Sequence, residues 1–162
     1  MRFRERLRYD AASGAIYDGD IRYMMIRPDA LMGIFARLAP AARAEALAAL
    51  GASVRDRGKR SAQTYIDGDV AALLRTIEAT APDLGWGIWR FETGETGGFT
   101  LSVTNSPFAA GADFEGMMCH AIAGMAASVG ELVLGVPCEA HESHCTGAGA
   151  DTCVFRVEPR AA

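Results

Sequence analysis

The spacing of apolar side chains predicts three helices before residue 85. Pro28 begins a helix that runs to about residue 38, and Pro40 begins a longer one that runs to about Tyr65. Gly58 is a point at which this second helix could break. A third helix follows Asp67-Gly68-Asp69, and its apolar face at i, i+3, i+4 and i+7 is formed by Val70, Leu73, Leu74 and Ile77.

A fourth helix is predicted near the end of the chain. Asp113 is a suitable N-cap, and the helix is expected to reach about residue 134, ahead of Gly135. Cys119 would lie about a third of a turn from Met118 on this helix. The apolar stripe that faces the core consists of Phe114, Met117, Met118, Ala121, Met125, Val129 and Leu132.

Short apolar runs between turn signals predict strands in antiparallel pairs. Residues 3–9 are predicted as an extended arm or an edge strand, and residues 105–111 as a loop. The order of strands and helices along the chain is typical of an α+β fold. The predicted pairs are Tyr17 with residues 21–26, residues 86–91 with 99–103, and residues 136–144 with 152–158.

Composition limits the class of protein. A chain of 162 residues with 50% hydrophobic and 22% charged residues is expected to form one globular domain over 1–162. The net charge of −4 gives no electrostatic reason to expect nucleic acid or an anionic membrane as a direct partner. No long apolar segment follows the basic residues 1–8, so we expect no signal peptide or transmembrane helix, and a cytoplasmic location.

The cysteines carry the main chemical signal. Cys145 and Cys153 are separated by seven residues that include glycines, Glu142 lies three positions before Cys145, and Cys119 lies upstream. Thiolates that converge with a carboxylate suggest a tetrahedral metal site, and these ligand types favour Zn²⁺. The alternatives are unrelated buried thiols, or a site in which His144 replaces Glu142.

Cys138 is predicted to be a small core side chain rather than a ligand.

A second candidate site is an apolar pocket between the fourth helix and the strands, because methionine and aromatic side chains can form adaptable walls. Its expected lining residues are Met117, Met118, Met125, Trp86, Trp89 and Phe99, with the two tryptophans on opposite faces of one strand.

Motifs for catalysis are not found in the sequence. It contains no Ser-His-Asp order, no phosphate-binding glycine loop and no nicotinamide or flavin fingerprint. The sequence therefore favours a binding function over an enzymatic one.

Three segments together resemble the 4-vinyl reductase domain family. They are Cys119-His-Ala-Ile-Ala-Gly124, Glu142-x-x-Cys145-x-Gly147 and Cys153-x-Phe155, within the most specific stretch, 113–158. The family includes sensor domains of phenol- and xylene-responsive transcription activators and an accessory protein of bacteriochlorophyll synthesis. Residues 21–28 are similar to the start of the sensor branch.

The resemblance implies an α+β domain in which helices flank an antiparallel sheet, and a homodimer. It also implies a structural zinc ion with four protein ligands, which on matching positions are Cys119, Glu142, Cys145 and Cys153. The implied function is a sensor or carrier of a small apolar or aromatic ligand. Its output is expected through a regulatory protein partner or through carriage of the ligand. The alternatives are an accessory factor in tetrapyrrole synthesis and a ligand-free dimerisation module.

The phenol sensors of this family bind their effector in an aromatic pocket with a Trp and a His. No histidine precedes His120 in this chain, so the histidine of such a pocket has no match here.

Overall fold

Two antiparallel sheets and a set of helices make up the described parts of the fold. The computed structural model describes residues 2–63, 69–94 and 97–161, and no helix in these ranges has the length and apolar character that crossing a membrane requires. In chain order the elements are α1 (Phe3–Arg6), β1 (Arg8–Asp10), β2 (Ala15–Asp18), β3 (Ile21–Tyr23), α2 (Pro28–Ala36), α3 (Pro40–Gln63), α4 (Val70–Asp83), β4 (Ile88–Thr93), β5 (Phe99–Thr104), α5 (Pro107–Ala110), α6 (His120–Leu134), β6 (Cys138–His144), a 3-10 helix (Thr146–Ala148) and β7 (Cys153–Pro159).

The larger sheet has the strand order β4-β5-β7-β6 and is antiparallel throughout. On β5 the side chains of Phe99, Leu101 and Val103 are buried and alternate with more exposed ones. The same alternation continues on β7 from Cys153 to Val157. This period of two gives the sheet one face that packs against the core. The predicted strand pairs and the α+β class, with helices flanking an antiparallel sheet, are confirmed.

Helix α6 packs against β6 and β7 and also against α3. Ile122, Ala126 and Val129 of α6 are fully buried. A Cβ atom placed on Gly124 would lie 2.0 Å from the carbonyl oxygen of Gly51, so the backbones of α3 and α6 are in contact. Only glycine permits such a close approach, and the two helices therefore hold each other in place.

The N-terminal strands β1, β2 and β3 form a separate three-stranded sheet. The prediction of an extended arm over residues 3–9 is wrong for its first half, where α1 forms. Glu5 accounts for this turn of helix, because its carboxylate accepts a hydrogen bond of 2.8 Å from the backbone N–H of Arg2. The turn buries Phe3, whose ring lies edge-on to Tyr23 at 5.4 Å.

The fourth predicted helix, α6, begins at His120 rather than at Asp113. Residues 113–119 are non-helical because Gly116 has a φ of 125° and its N–H donates to the carbonyl oxygen of Gly147 at 3.2 Å. The segment before α6 is thus attached to the loop between β6 and β7.

Other predicted boundaries agree more closely with the structure. Helix α3 continues through Gly58 without a break, while its predicted end at Tyr65 lies outside the described residues. Asp67 and Gly68 also lie outside them. Asp69 is the N-cap of α4 and accepts a hydrogen bond of 2.7 Å from the N–H of Ala72. The predicted loop over 105–111 contains the short helix α5.

Candidate metal centre and apolar cavity

The four residues predicted as metal ligands lie together in the structure. One ligand atom from each of Cys119, Glu142, Cys145 and Cys153 can be chosen so that all four are within 4.8 Å of one another. The sulfur atoms are separated by 3.9 Å between Cys119 and Cys145, 3.7 Å between Cys119 and Cys153, and 3.9 Å between Cys145 and Cys153. A tetrahedral zinc site with bonds of about 2.3 Å separates its sulfur ligands by about 3.8 Å. The thiol spacing therefore fits a single ion.

Local backbone features bring these side chains together. Cys119 is the N-cap of α6, and Cys153 is the first residue of β7. The pairing of β6 with β7 shifts register between Glu142 and His144, which is typical of a β-bulge next to a functional site. The 3-10 helix then reverses the chain and ends at Gly149, which has a φ of 89°.

Hydrogen bonds within the cluster leave one acceptor free. Glu142 Oε2 accepts from the N–H of Cys119 at 3.1 Å, and Cys153 Sγ accepts from the N–H of Thr146 at 3.4 Å. Ser106 Oγ lies 3.2 Å from Cys119 Sγ. Glu142 Oε1 is buried and has no hydrogen-bond partner among the described residues. A buried carboxylate oxygen without a partner is costly, and a metal ion would satisfy it.

The electrostatics of the cluster also favour a bound cation. Hydrogen bonds with Cys145 and Cys153 raise the pKa of the Cys119 thiol far above its ordinary value, and burial raises it further by a smaller amount. Hydrogen bonds from Cys119 and Cys145 lower the pKa of Cys153 to about 2, whereas burial raises the pKa of Glu142. Among the described residues, no Lys or Arg bonds to these groups. A bound cation would favour the deprotonated form of all four.

The other candidate ligands lie elsewhere. His144 is exposed, and its Nδ1 lies 3.1 Å from Ser143 Oγ, so the structure places Glu142 rather than His144 at the cluster. Cys138 is fully buried at the far end of β6, where its thiol donates to the carbonyl oxygen of Val136 at 3.3 Å. The cluster is thus the set that the sequence predicts, with Cys138 outside it.

A cavity of about 420 Å³ lies beside the sheet, between α3, α4 and α6. It includes three of the six predicted lining residues, Trp86, Trp89 and Met125. The walls that the sequence analysis missed come mostly from other elements, in particular Phe3, Tyr23, Leu31, Leu50, Val54, Arg57, Ile77, Thr80, Ala81, Leu84 and Phe108.

The other three predicted lining residues do not reach the cavity. Met117 and Met118 precede α6 because this helix starts seven residues later than predicted, at His120 instead of Asp113. Met117 is 44% exposed, while Met118 is buried against Gly147 near the cysteines. Phe99 packs its ring against Phe91 at 5.4 Å instead.

The two tryptophans face the same cavity, so the prediction that they lie on opposite faces is wrong. Trp86 precedes β4 and stands in a turn between Gly85 and Gly87, which have φ values of 75° and 85°. The Trp89 indole N–H donates to the carbonyl oxygen of Trp86 at 2.9 Å, and the two ring systems are 6.4 Å apart. The turn therefore removes the alternation that a continuous strand would impose.

Comparison with known proteins identifies part of this architecture. Residues 99–159 match the V4R domain family. Over this stretch the chain is similar to the V4R domain. The resemblance predicted from its cysteine and glycine segments is confirmed, and the matched stretch contains all four residues of the Cys/Glu cluster.

Solved structures extend the likeness beyond the matched stretch of the V4R domain. The phenol-responsive sensory domain of the transcription activator PoxR, in a structure with phenol, has a TM-score of 0.75 and 19% identity, covering 96% of this chain and 85% of that one. A trafficking protein particle complex subunit 3 from Naegleria fowleri, covalently bound to palmitic acid, has a TM-score of 0.56 and 14% identity over 83% of this chain and 95% of that one.

A vinyl-4-reductase family protein from Methanocaldococcus jannaschii has a TM-score of 0.51 and 16% identity, covering 86% of this chain and 98% of that one. At these identities the similarity establishes the fold. No curated protein matches the chain. The cavity is formed largely by residues before position 99, ahead of the stretch that matches the V4R domain.

Proposed function

We propose that this chain is a small-molecule-binding domain, a sensor or carrier, whose apolar ligand occupies the cavity beside Trp86 and Trp89. The observation that carries the proposal is the cavity itself, whose walls are mostly aliphatic and aromatic. An engineered cavity of about 150 Å³ in another protein holds benzene, so about 420 Å³ is ample for an aromatic ring with a substituent. The similarity in fold to a phenol-responsive sensory domain supports the same function.

Ligand binding in this cavity is expected to depend on its free volume. Ala81 lines it from α4 and is 3% exposed, so Ala81→Phe places a ring inside the space. For the unmodified protein we expect 4-ethylphenol to quench tryptophan fluorescence and to raise the melting temperature by mass action. For Ala81→Phe both effects should be lost.

The matched control is Ala79→Phe, because Ala79 is exposed on the same helix and does not line the cavity. This variant should respond to the probe as the unmodified protein does. If a panel of apolar aromatics and alcohols leaves fluorescence and melting temperature unchanged in the unmodified protein, the ligand-binding proposal is wrong.

A zinc ion at the Cys/Glu cluster forms the second part of the proposal. Cys119, Glu142, Cys145 and Cys153 would hold it, and four protein ligands leave no open position for water or substrate. The ion would therefore serve structure rather than catalysis. It would connect the N-terminal end of α6 to the loop between β6 and β7, and so hold one end of a helix that also lines the cavity.

A second candidate function, dimerisation, is favoured by an apolar surface. Tyr9, Met24 and Met25 are 64%, 77% and 83% exposed and line a neighbouring cavity of about 350 Å³. Exposed apolar patches of this kind mark interaction sites. The homodimer and the regulatory protein partner predicted from the family resemblance remain predictions.

Light scattering after size exclusion tests the dimer. We expect the unmodified protein to have twice the mass of one chain, and Met25→Glu to be a monomer because the new charge would be buried in the interface. Ile88→Glu is the control, since Ile88 is a 48% exposed apolar side chain on β4, in the other sheet. A monomeric unmodified protein would contradict the dimer while leaving ligand binding untouched.

A further inference from the structure

The cavity beside the tryptophans has one cationic side chain in its wall. Among the described residues that line it, Arg57 is the only one with a formal charge, and none is a carboxylate. Arg57 is exposed and also lines the cavity, so it stands where the cavity opens to solvent. An apolar space with a cation at its opening matches a ligand that has an apolar body and an anionic end.

Arg57 has no ion-pair or hydrogen-bond partner among the described residues, unlike the basic side chains on either side of it. Arg55 bonds to Glu131, and Lys59 bonds to the same carboxylate at 3.2 Å. The positions three and four residues from Arg57 on its own helix are Ser53, Val54, Arg60 and Ser61, none of which is acidic.

The two acidic side chains of α4 are already engaged. Asp83 accepts a hydrogen bond of 2.8 Å from Arg2, and Glu78 accepts one of 2.8 Å from the backbone N–H of Phe91. Neither carboxylate lines the cavity. The guanidinium of Arg57 therefore keeps its donors available for an incoming group.

Two of the neutral donors in the wall are already engaged. The indole N–H of Trp89 donates to Trp86, and the hydroxyl of Thr80 donates to the carbonyl oxygen of Thr76 at 2.8 Å. No histidine lines the cavity. A neutral hydroxyl that used either of these two donors would compete with an existing bond, whereas a carboxylate can use the planar pair of donors that a guanidinium offers.

We propose that the ligand of this cavity is an amphipathic monocarboxylate, with its aliphatic or aromatic body among the apolar walls and its carboxylate on Arg57. The inference rests on the proposed function, because it assigns the chemical class of the ligand in the same cavity. The neighbouring cavity of about 350 Å³ shares Tyr23, Met24 and Trp86 with this one. The two cavities are therefore adjacent, with Trp86 in the wall of both.

Two pairs of probes test the assignment. Their affinities for the full chain are measured by tryptophan fluorescence at about pH 7.5, where carboxylic acids are ionised. Each pair has the same body with a different end: 4-butylbenzoate against 4-butylphenol, and decanoate against 1-decanol. We expect at least one acid to bind about tenfold or more tightly than its neutral partner, the change that a charge-assisted hydrogen bond brings. The comparison of the two acids distinguishes an aromatic from an aliphatic body.

Arg57→Gln should remove this preference by weakening the acids about tenfold or more while leaving the neutral probes within about twofold. Arg57→Lys should retain part of it, since it keeps the charge without the planar fork. Arg75→Gln is the control, because Arg75 is an exposed cation on α4 that does not line the cavity. It should leave all four affinities unchanged.

The possible failures are distinguishable. If the neutral probes bind as tightly as the acids, or if Arg57→Gln behaves like Arg75→Gln, the carboxylate assignment is overturned while apolar-ligand binding stands. If none of the four probes binds, the proposed function itself is overturned together with this inference.

Discussion

Cys145→Ala should abolish zinc binding and remove most of the stability of the fold. Cys145 is fully buried and its sulfur lies 3.9 Å from each of the other two cluster sulfurs, so its loss leaves three ligands and no complete tetrahedron. Structural zinc contributes about 10–16 kcal/mol in small zinc-binding peptides, and a whole domain is stable by only about 5–15 kcal/mol. We therefore expect the variant to be largely unfolded at room temperature.

The measurement is elemental analysis of protein purified without chelator, followed by urea denaturation. The unmodified protein should contain about one zinc per chain, and Cys145→Ala less than about a tenth. Cys138→Ala is the matched control, because Cys138 is another fully buried cysteine, but its thiol bonds to Val136 instead of the cluster.

Cys138→Ala should keep its zinc and lose only about 1 kcal/mol, the usual effect of a small change in a core. Zinc-free unmodified protein that is fully folded would contradict the structural role. Equal loss of metal from both variants would contradict the ligand assignment.

The Cys/Glu cluster could be predicted because its geometry is mostly local. Glu142, Cys145 and Cys153 stand on one β-hairpin, and glycines between the cysteines permit the reversal of the chain. Only Cys119 comes from a distant element; its residue type made it a candidate, and the family resemblance matched it to a ligand position. The four members of the cluster were thus predicted even though the start of α6, which follows Cys119, was not.

The start of α6 could not be predicted because the decisive contact is long-range. Asp113 has the chemistry of an N-cap, and nothing near it in sequence opposes a helix. The opposing interaction is the hydrogen bond from Gly116 to Gly147, which exists only once the loop between β6 and β7 has folded. The same error placed Met117 and Met118 on a helix face, and so in the wall of a cavity that they do not reach.

An apolar cavity beside the sheet was predicted, but most of the residues that line it were not. Trp86, Trp89 and Met125 were expected because they are large apolar side chains on elements that must pack together. Phe3 and Tyr23 come from the N-terminal segment, whose packing depends on tertiary contacts that periodicity does not report. The place of Arg57 at the cavity also depends on tertiary packing, because in the sequence it is one of several basic residues, with Arg55 and Lys59 close by.

Trp89→Ala should destabilise the protein by about 3–5 kcal/mol, because it removes the largest fully buried side chain from the core. Trp89 is 1% exposed, contacts the rings of Trp86 and Phe91, and donates its indole N–H to Trp86. Truncation leaves a hole as well as an unpaired carbonyl oxygen. Urea denaturation should show a lower midpoint, and the zinc content should stay at about one per chain, since Trp89 does not touch the cluster.

The hole should join the existing cavity, because Trp89 is part of its wall. Indole, which restores the deleted ring, should then raise the melting temperature of Trp89→Ala more than that of the unmodified protein. Trp86→Ala is the control for a half-buried tryptophan and should lose less stability. A loss below about 1 kcal/mol for Trp89→Ala would contradict its place in the core. Absence of rescue by indole would show that the wall collapses when the ring is removed, and that the cavity is not a preformed binding site.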